Sequence, residues 1–112
     1  MKYSLFGGLF QEAKNYGDVD MYIAERGWQE WMDDYGADKI ADILSTIYKL
    51  AHSSVKEMRE SEGLSRAEFC RIYLKKVRTV EEWDSGNNPV SESERMLMAY
   101  TFFNGRTFDE PN

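Results

Sequence analysis

LSRAEFCRIYLKKVRTVEEW, residues 64–83, reads as two short helices that hold their arginines and lysines together. Ser65 stands three residues before Glu68, so the pair can satisfy two free backbone N–H groups reciprocally at a helix start while Leu64 packs back onto Phe69. Phe69, Cys70 and Tyr73 then fall on one face, and after Leu74 and Lys75 the apolar spacing resumes at Val77, Val80 and Trp83. Two helices of about eight residues each do not persist alone in water. Each must bury its apolar face against further helices, which predicts an all-α bundle.

The segment resembles the helix-turn-helix of the Cro and phage-repressor (XRE) family. That family opens the leading helix of the motif with a polar residue, follows it with an aliphatic-Ala pair and a Gly turn, and gives the trailing helix a β-branched residue and a bulky apolar end. Here those roles fall to Arg66, the Phe69-Cys70 pair, Leu74, Val80 and Trp83. The continuation WDSGNNPVSESERMLMAY, residues 83–100, is similar as well, with Gly86 ending the trailing helix and Pro89 preceding the next. The resemblance spans roughly residues 55–103, and RTVEEWDSG, residues 78–86, is its most specific part. Leu74 stands where the family usually has Gly, and a left-handed non-Gly residue costs about 1 kcal/mol. Lys75 likewise replaces a small buried aliphatic residue. Either the turn is of a different type or the leading helix runs one residue longer.

The resemblance implies a repressor-like bundle with an N-terminal helical extension and double-stranded DNA as partner. Its base-reading positions correspond to Lys76, Val77 and Arg78, with Glu82 one turn later. Arg78 suits a bidentate contact to guanine and Val77 a thymine methyl. Arg66, Lys75 and Thr79 correspond to phosphate-holding positions.

Charge opposes that reading in sum and supports it in distribution. The formal net charge is -6, whereas phosphate binding depends on Lys and Arg. Residues 64–80, however, carry Arg66, Arg71, Lys75, Lys76 and Arg78 against Glu68 alone. A basic patch on an acidic body can dock on a duplex, with the remaining negative surface weakening the encounter, so a dimer is expected.

At 112 residues the chain can bury a modest core without a disulfide, and its single Cys excludes a disulfide framework. No apolar run approaches the ~20 residues of a membrane span, and Met1-Lys2-Tyr3 does not open a secretory signal, so a cytoplasmic protein that does not enter a membrane is expected. Residues 1–52 read as an acidic, aromatic-rich helical subdomain, 53–103 as the helix-turn-helix domain and 104–112 as an extended tail. Gly7-Gly8 and Gly17 suggest irregular structure or one short helix at the start. Residues 20–34 suit one amphipathic helix, with Asp18 as N-cap and Gly36 as stop.

From 37 to 62, Ile40, Ile43, Leu44, Ile47, Leu50, Val55 and Met58 form one stripe, which predicts one long or gently kinked helix of about 40 Å. The competing reading stops it near His52 and restarts it at a capping box made by Ser54 and Glu57. Residues 84–89 form a loop by composition, and Ser91 with Glu94 opens a last helix presenting Met96, Leu97, Tyr100 and Phe103.

Little points to catalysis. With one His52 and one Cys70 no ordinary zinc site or Cys-His pair can be assembled, and no cofactor motif stands out. Asp33-Asp34 and Glu81-Glu82 are sequence neighbours that face different sides of a helix. Trp83 and Cys70 read as core.

Tyr22, Trp28, Trp31 and Tyr35 are candidate interface residues; they form either a second small core against Leu5, Phe6, Leu9 and Phe10 or an exposed homodimer face. A two-fold pair would set two recognition helices about one DNA turn apart. Two functions follow from different classes. The first is a dimeric, sequence-specific DNA-binding transcriptional regulator of XRE type from a mobile element, a setting implied by the resemblance alone. The second is an acidic protein-binding module, an antitoxin or anti-CRISPR-like inhibitor, using Asp33, Asp34, Asp38 and Asp42.

Overall fold

The computed structural model describes residues 1–105. They form α1 (Tyr3–Ala13), α2 (Val19–Arg26), a 3-10 turn (Glu30–Asp34), α3 (Ala37–Ala51), α4 (Val55–Ser61), α5 (Arg66–Tyr73), α6 (Val77–Ser85) and α7 (Glu92–Asn104), with no strand among the described residues. The expected all-α bundle is present. Of the tail expected at 104–112, Asn104 closes α7 and residues from 106 onward lie outside the described part.

Local chemistry sets most of the boundaries. Asp18 accepts the Asp20 N–H at 2.9 Å and opens α2. That helix does not continue to 34 as its apolar spacing predicts, because Gly27 takes φ 64° and turns the chain out of the helix. The segment 37–62 is also two helices. α3 ends at Ala51, and Ser54 and Glu57 cap each other reciprocally, Ser54 N–H donating to Glu57 Oε1 at 2.9 Å and Glu57 N–H to Ser54 Oγ at 3.1 Å. Both halves of the stripe still reach the core, so its apolar periodicity runs through a break it does not reveal.

One core serves both halves of the sequence. Phe6, Phe10, Ile43, Ile47, Met58, Phe69, Val80 and Phe103 belong to a single buried cluster. α3 packs on α1 and α2, α4 and α5 pack on α6 or on its neighbours, and α7 lies against α1, α3 and α4. A helix with that many neighbours is apolar around much of its girth. Phe103 and Tyr100 of α7 meet the Phe6 ring at centroid distances of 5.2 and 5.1 Å, and the Tyr100 hydroxyl donates to the Met1 carbonyl.

Two polar ties fix the angles between helices. Arg95 of α7 donates to the carbonyls of Leu50 (3.3 Å) and Ser53 (2.7 Å), closing the end of α3 where it turns into α4, and its guanidinium lies 5.0 Å from the centre of the Phe10 ring. Glu92 accepts from Arg95 Nε at 2.8 Å and Nη2 at 3.0 Å, and pairs with Lys14. Asp84 makes the other tie. Its two oxygens accept from Arg59 Nη1 and Nη2, both at 3.1 Å, and one of them also takes Arg66 Nε at 3.3 Å and Nη2 at 3.0 Å. Burial alone would raise this carboxyl, but the hydrogen bonds from Arg59 and Arg66 outweigh it and hold it below the usual range.

Asp84→Ala should therefore leave Arg59 buried without a counter-charge and lower unfolding stability by about 3–5 kcal/mol, read as the shift of the urea midpoint. A change within experimental error would show that water replaces the carboxylate. Glu92 gives a pH signature. Hydrogen bonds from Arg95 and Lys14 hold its carboxyl down to about 2 against partial burial, from an ordinary 4.5. A depressed folded-state pKa means the stabilisation is complete above about 4.5 and is lost as pH falls toward 2. Glu92→Gln should flatten the stability profile across that window by about 1 kcal/mol or less, since the side chain is well exposed.

Candidate nucleic-acid interface

The leading helix of the pair, α5, starts as its sequence requires. Ser65 N–H donates to Glu68 Oε1 at 2.9 Å and Glu68 N–H to Ser65 Oγ at 3.1 Å, which pulls the Glu68 carboxyl below its ordinary range. Leu64 packs against the core beside Phe69. α5 stops at Tyr73, and Leu74 takes the left-handed conformation, φ 55° and ψ 45°, with Lys75 N–H closing onto the Cys70 carbonyl at 3.0 Å. Neither alternative raised by the missing Gly applies. The turn keeps the left-handed geometry, α5 gains no residue, and Leu pays the strain that Gly would avoid.

α6 buries Val80 and turns Asp84 and part of Trp83 inward. Asp84 was expected in a loop after Trp83; the helix instead continues to Ser85, and Gly86 ends it at φ 80°. Its position four residues after Val80 on the inner face is the signal that marks it as part of the packing. Trp83 is only partly buried, and the Lys75 ammonium sits 5.7 Å from its ring centre.

The positions aligned with DNA contacts divide into two groups. Lys76, Val77 and Arg78 are exposed together at the start of α6. No side chain caps that helix and no acidic residue stands in its first turn. Arg78 has 89 % of its side chain in solvent and touches Glu82 at 3.4 Å across one helical turn. Glu82 is half-buried and also accepts from Asn88 Nδ2 at 3.2 Å.

The second group is occupied within the chain. Arg66 is bound to Asp84 and lies 3.6 Å from Glu81. Lys75 is paired with Glu94 of α7, and Thr79 is half-buried. Glu94 was expected to complete a capping box, but only the Ser91 half forms, with Glu94 N–H donating to Ser91 Oγ at 3.2 Å, because its carboxylate reaches Lys75 instead.

Ile72 and Leu74 lie off the apolar spacing, whereas Val77, counted in it with Val80 and Trp83, is turned half into water. Ile72 is 60 % exposed, Leu74 90 % and Val77 49 %.

In the first half, Tyr22 is not an interface residue. Its side chain is fully buried, its hydroxyl donates to the Leu9 carbonyl at 2.8 Å, and the Arg26 guanidinium lies 4.9 Å from its ring centre. Burial pushes its phenol up. Trp31 and Tyr35 pack against the core and meet edge to face at 6.2 Å. Trp28 alone of the four stands in solvent, 69 % exposed, its indole N–H donating to Asp33 Oδ1 at 2.9 Å.

Cys70 is buried, and His52 stacks on Tyr48 at 4.3 Å with Nε2 2.9 Å from the Ala13 carbonyl oxygen. Among the described residues no group of three or more His, Cys, Asp or Glu is placed to hold a metal ion, and no helix is long and apolar enough to cross a membrane. No family model matches the chain, and neither the curated proteins nor the solved structures compared with it include a match.

Proposed function

We propose that this chain is a helix-turn-helix DNA-binding protein, a transcriptional regulator that sets the start of α6 into the major groove. The observation that carries the reading is the clear edge formed by Lys76, Val77 and Arg78, free of any carboxylate in the first helical turn. Backbone N–H groups at that uncapped end favour a phosphate oxygen, and Lys76 adds a mobile positive charge beside them.

Arg78 can leave Glu82 at small cost. An exposed pair one helical turn apart is worth about 0.3–0.5 kcal/mol, whereas a bidentate arginine–guanine contact discriminates by about 1–3 kcal/mol. Arg66 and Lys75 take a different part from the one their alignment implies. Held by Asp84 and Glu94, they brace α5 and α7 against α6 and so aim its free edge. With a net charge of -6, one copy brings few unpaired cations to a duplex, so two copies on one site fit the reading better than one.

Selection from random-sequence duplexes at low salt, followed by titration of the winning site, tests this. The wild-type chain should retain a defined sequence. Arg78→Ala should weaken that site by about 5- to 150-fold and relax its preference at one base pair. Lys76, moved here from the base-reading role that its position in the resemblance implies to a phosphate contact at the open helix end, should on change to Ala weaken all duplexes alike and flatten the salt dependence. Failure to retain any duplex at low salt, at concentrations where two copies can meet on a site, would overturn the assignment.

A further inference from the structure

Six large apolar side chains of the described residues stand about half or more in water, and five of them fall in two stretches of sequence of opposite formal charge. Ile72, Leu74 and Val77 lie at the α5–α6 turn with the exposed cations Arg71, Lys76 and Arg78, whereas Arg66 and Lys75 of the same stretch, 64–80, are already paired with Asp84 and Glu94. Met21 of α2 and Trp28 just after it lie in the stretch 18–38, where Arg26 is the sole cation among carboxylates that include the exposed Asp20, Glu30, Asp33 and Asp34.

Leu74 makes the first region more than a chance exposure. It occupies a strained backbone conformation, offset in part by the Lys75 N–H bond to the Cys70 carbonyl, and gives its side chain almost wholly to water, which nothing described in one copy offsets. Trp28 is held ready in the second, because its hydrogen bond to Asp33 fixes the indole while most of its surface stays open. A fixed aromatic surface loses little freedom on binding.

We infer that a second copy of this chain covers the turn, with the Trp28 corner of one molecule seated on Ile72, Leu74 and Val77 of the next. Charge selects this crossed pairing. Either region facing its own copy across a two-fold axis would bring like charges together, while the crossed contact sets Lys76 and Arg78 opposite Asp33 and Asp34. It also covers apolar surface on both partners and offers the indole face to a cation. Each copy keeps one corner and one turn, so two copies either exchange both contacts across a two-fold axis or repeat the contact head-to-tail. It lies over the edge assigned above to DNA, so a second copy and a duplex compete there; Trp28→Ala, which keeps that edge and loses the self-contact, should retain a duplex at least as well as wild type, so failure of either reading is seen separately.

Sedimentation velocity on the full chain in low salt, without nucleic acid, is the test. Wild-type protein should associate with rising concentration, to a dimer or beyond, and dissociate again in high salt. Trp28→Ala and Leu74→Gly, both at exposed positions, should each stay folded by circular dichroism and each weaken association about thirtyfold. Mixed together they should form a one-to-one complex that grows no further, because the intact turn of the first meets the intact corner of the second. Wild-type protein that remains monomeric to its solubility limit would overturn the inference and leave the turn to a different protein. Variants that associate alone as tightly as wild type, or a mixture that forms no complex, would overturn it equally.

Discussion

Asp84 is a carboxylate almost out of water, with 7 % of its side chain exposed, facing an arginine with 6 %. Such a group is tolerated only when every oxygen is occupied, and here Arg59 from α4 and Arg66 from α5 fill both. Because Asp84 lies on α6, the helices α4, α5 and α6 meet at one charge. Their apolar faces supply the driving force for packing, but apolar contact alone permits a range of crossing angles. The forked guanidinium of Arg59 has far fewer acceptable arrangements.

The same logic governs the join between the two halves of the sequence. Arg95 reaches the carbonyls at the end of α3 and the ring of Phe10 on α1 from a position on α7. α7 thereby belongs to both halves, and the first helix is as much a part of its environment as the turn-bearing helices are. What remains at the surface is a result of this economy. Arg59, Arg66, Lys75 and Arg95 are used internally, and the positive charge left at the front of α6 is small and local.

How much of this could be read beforehand depended on the range of the interaction. Ser54, Ser65 and Asp18 act within three residues of themselves, and each opens a helix where its spacing indicates. The break between α3 and α4 was legible in the Ser54 capping signal and was overruled by a continuous apolar stripe, because periodicity records which face is buried and not whether the axis bends. Gly27 ended α2 through a backbone angle that apolar spacing does not encode. At the candidate interface, the exposure of Lys76 and Arg78 follows from helical geometry, whereas Val77 falls in the apolar spacing of α6 and still stands half in water. The engagement of Arg66 by Asp84 and of Lys75 by Glu94 spans 18 and 19 residues, and no local pattern announces such partners. Tyr22 looked like its aromatic neighbours in composition, and only the approach of the Leu9 carbonyl separates it from them.

Cys70 draws a practical consequence from this arrangement. It is the chain's one thiol, it is 7 % exposed, and its carbonyl receives the N–H that closes the turn after α5. With so little of the residue in solvent, alkylation of that sulfur should be slow in the closed bundle and fast when α5 lifts from it. The rate of its modification is thus a clock built into the molecule for local opening, readable by mass without adding a label or changing a residue.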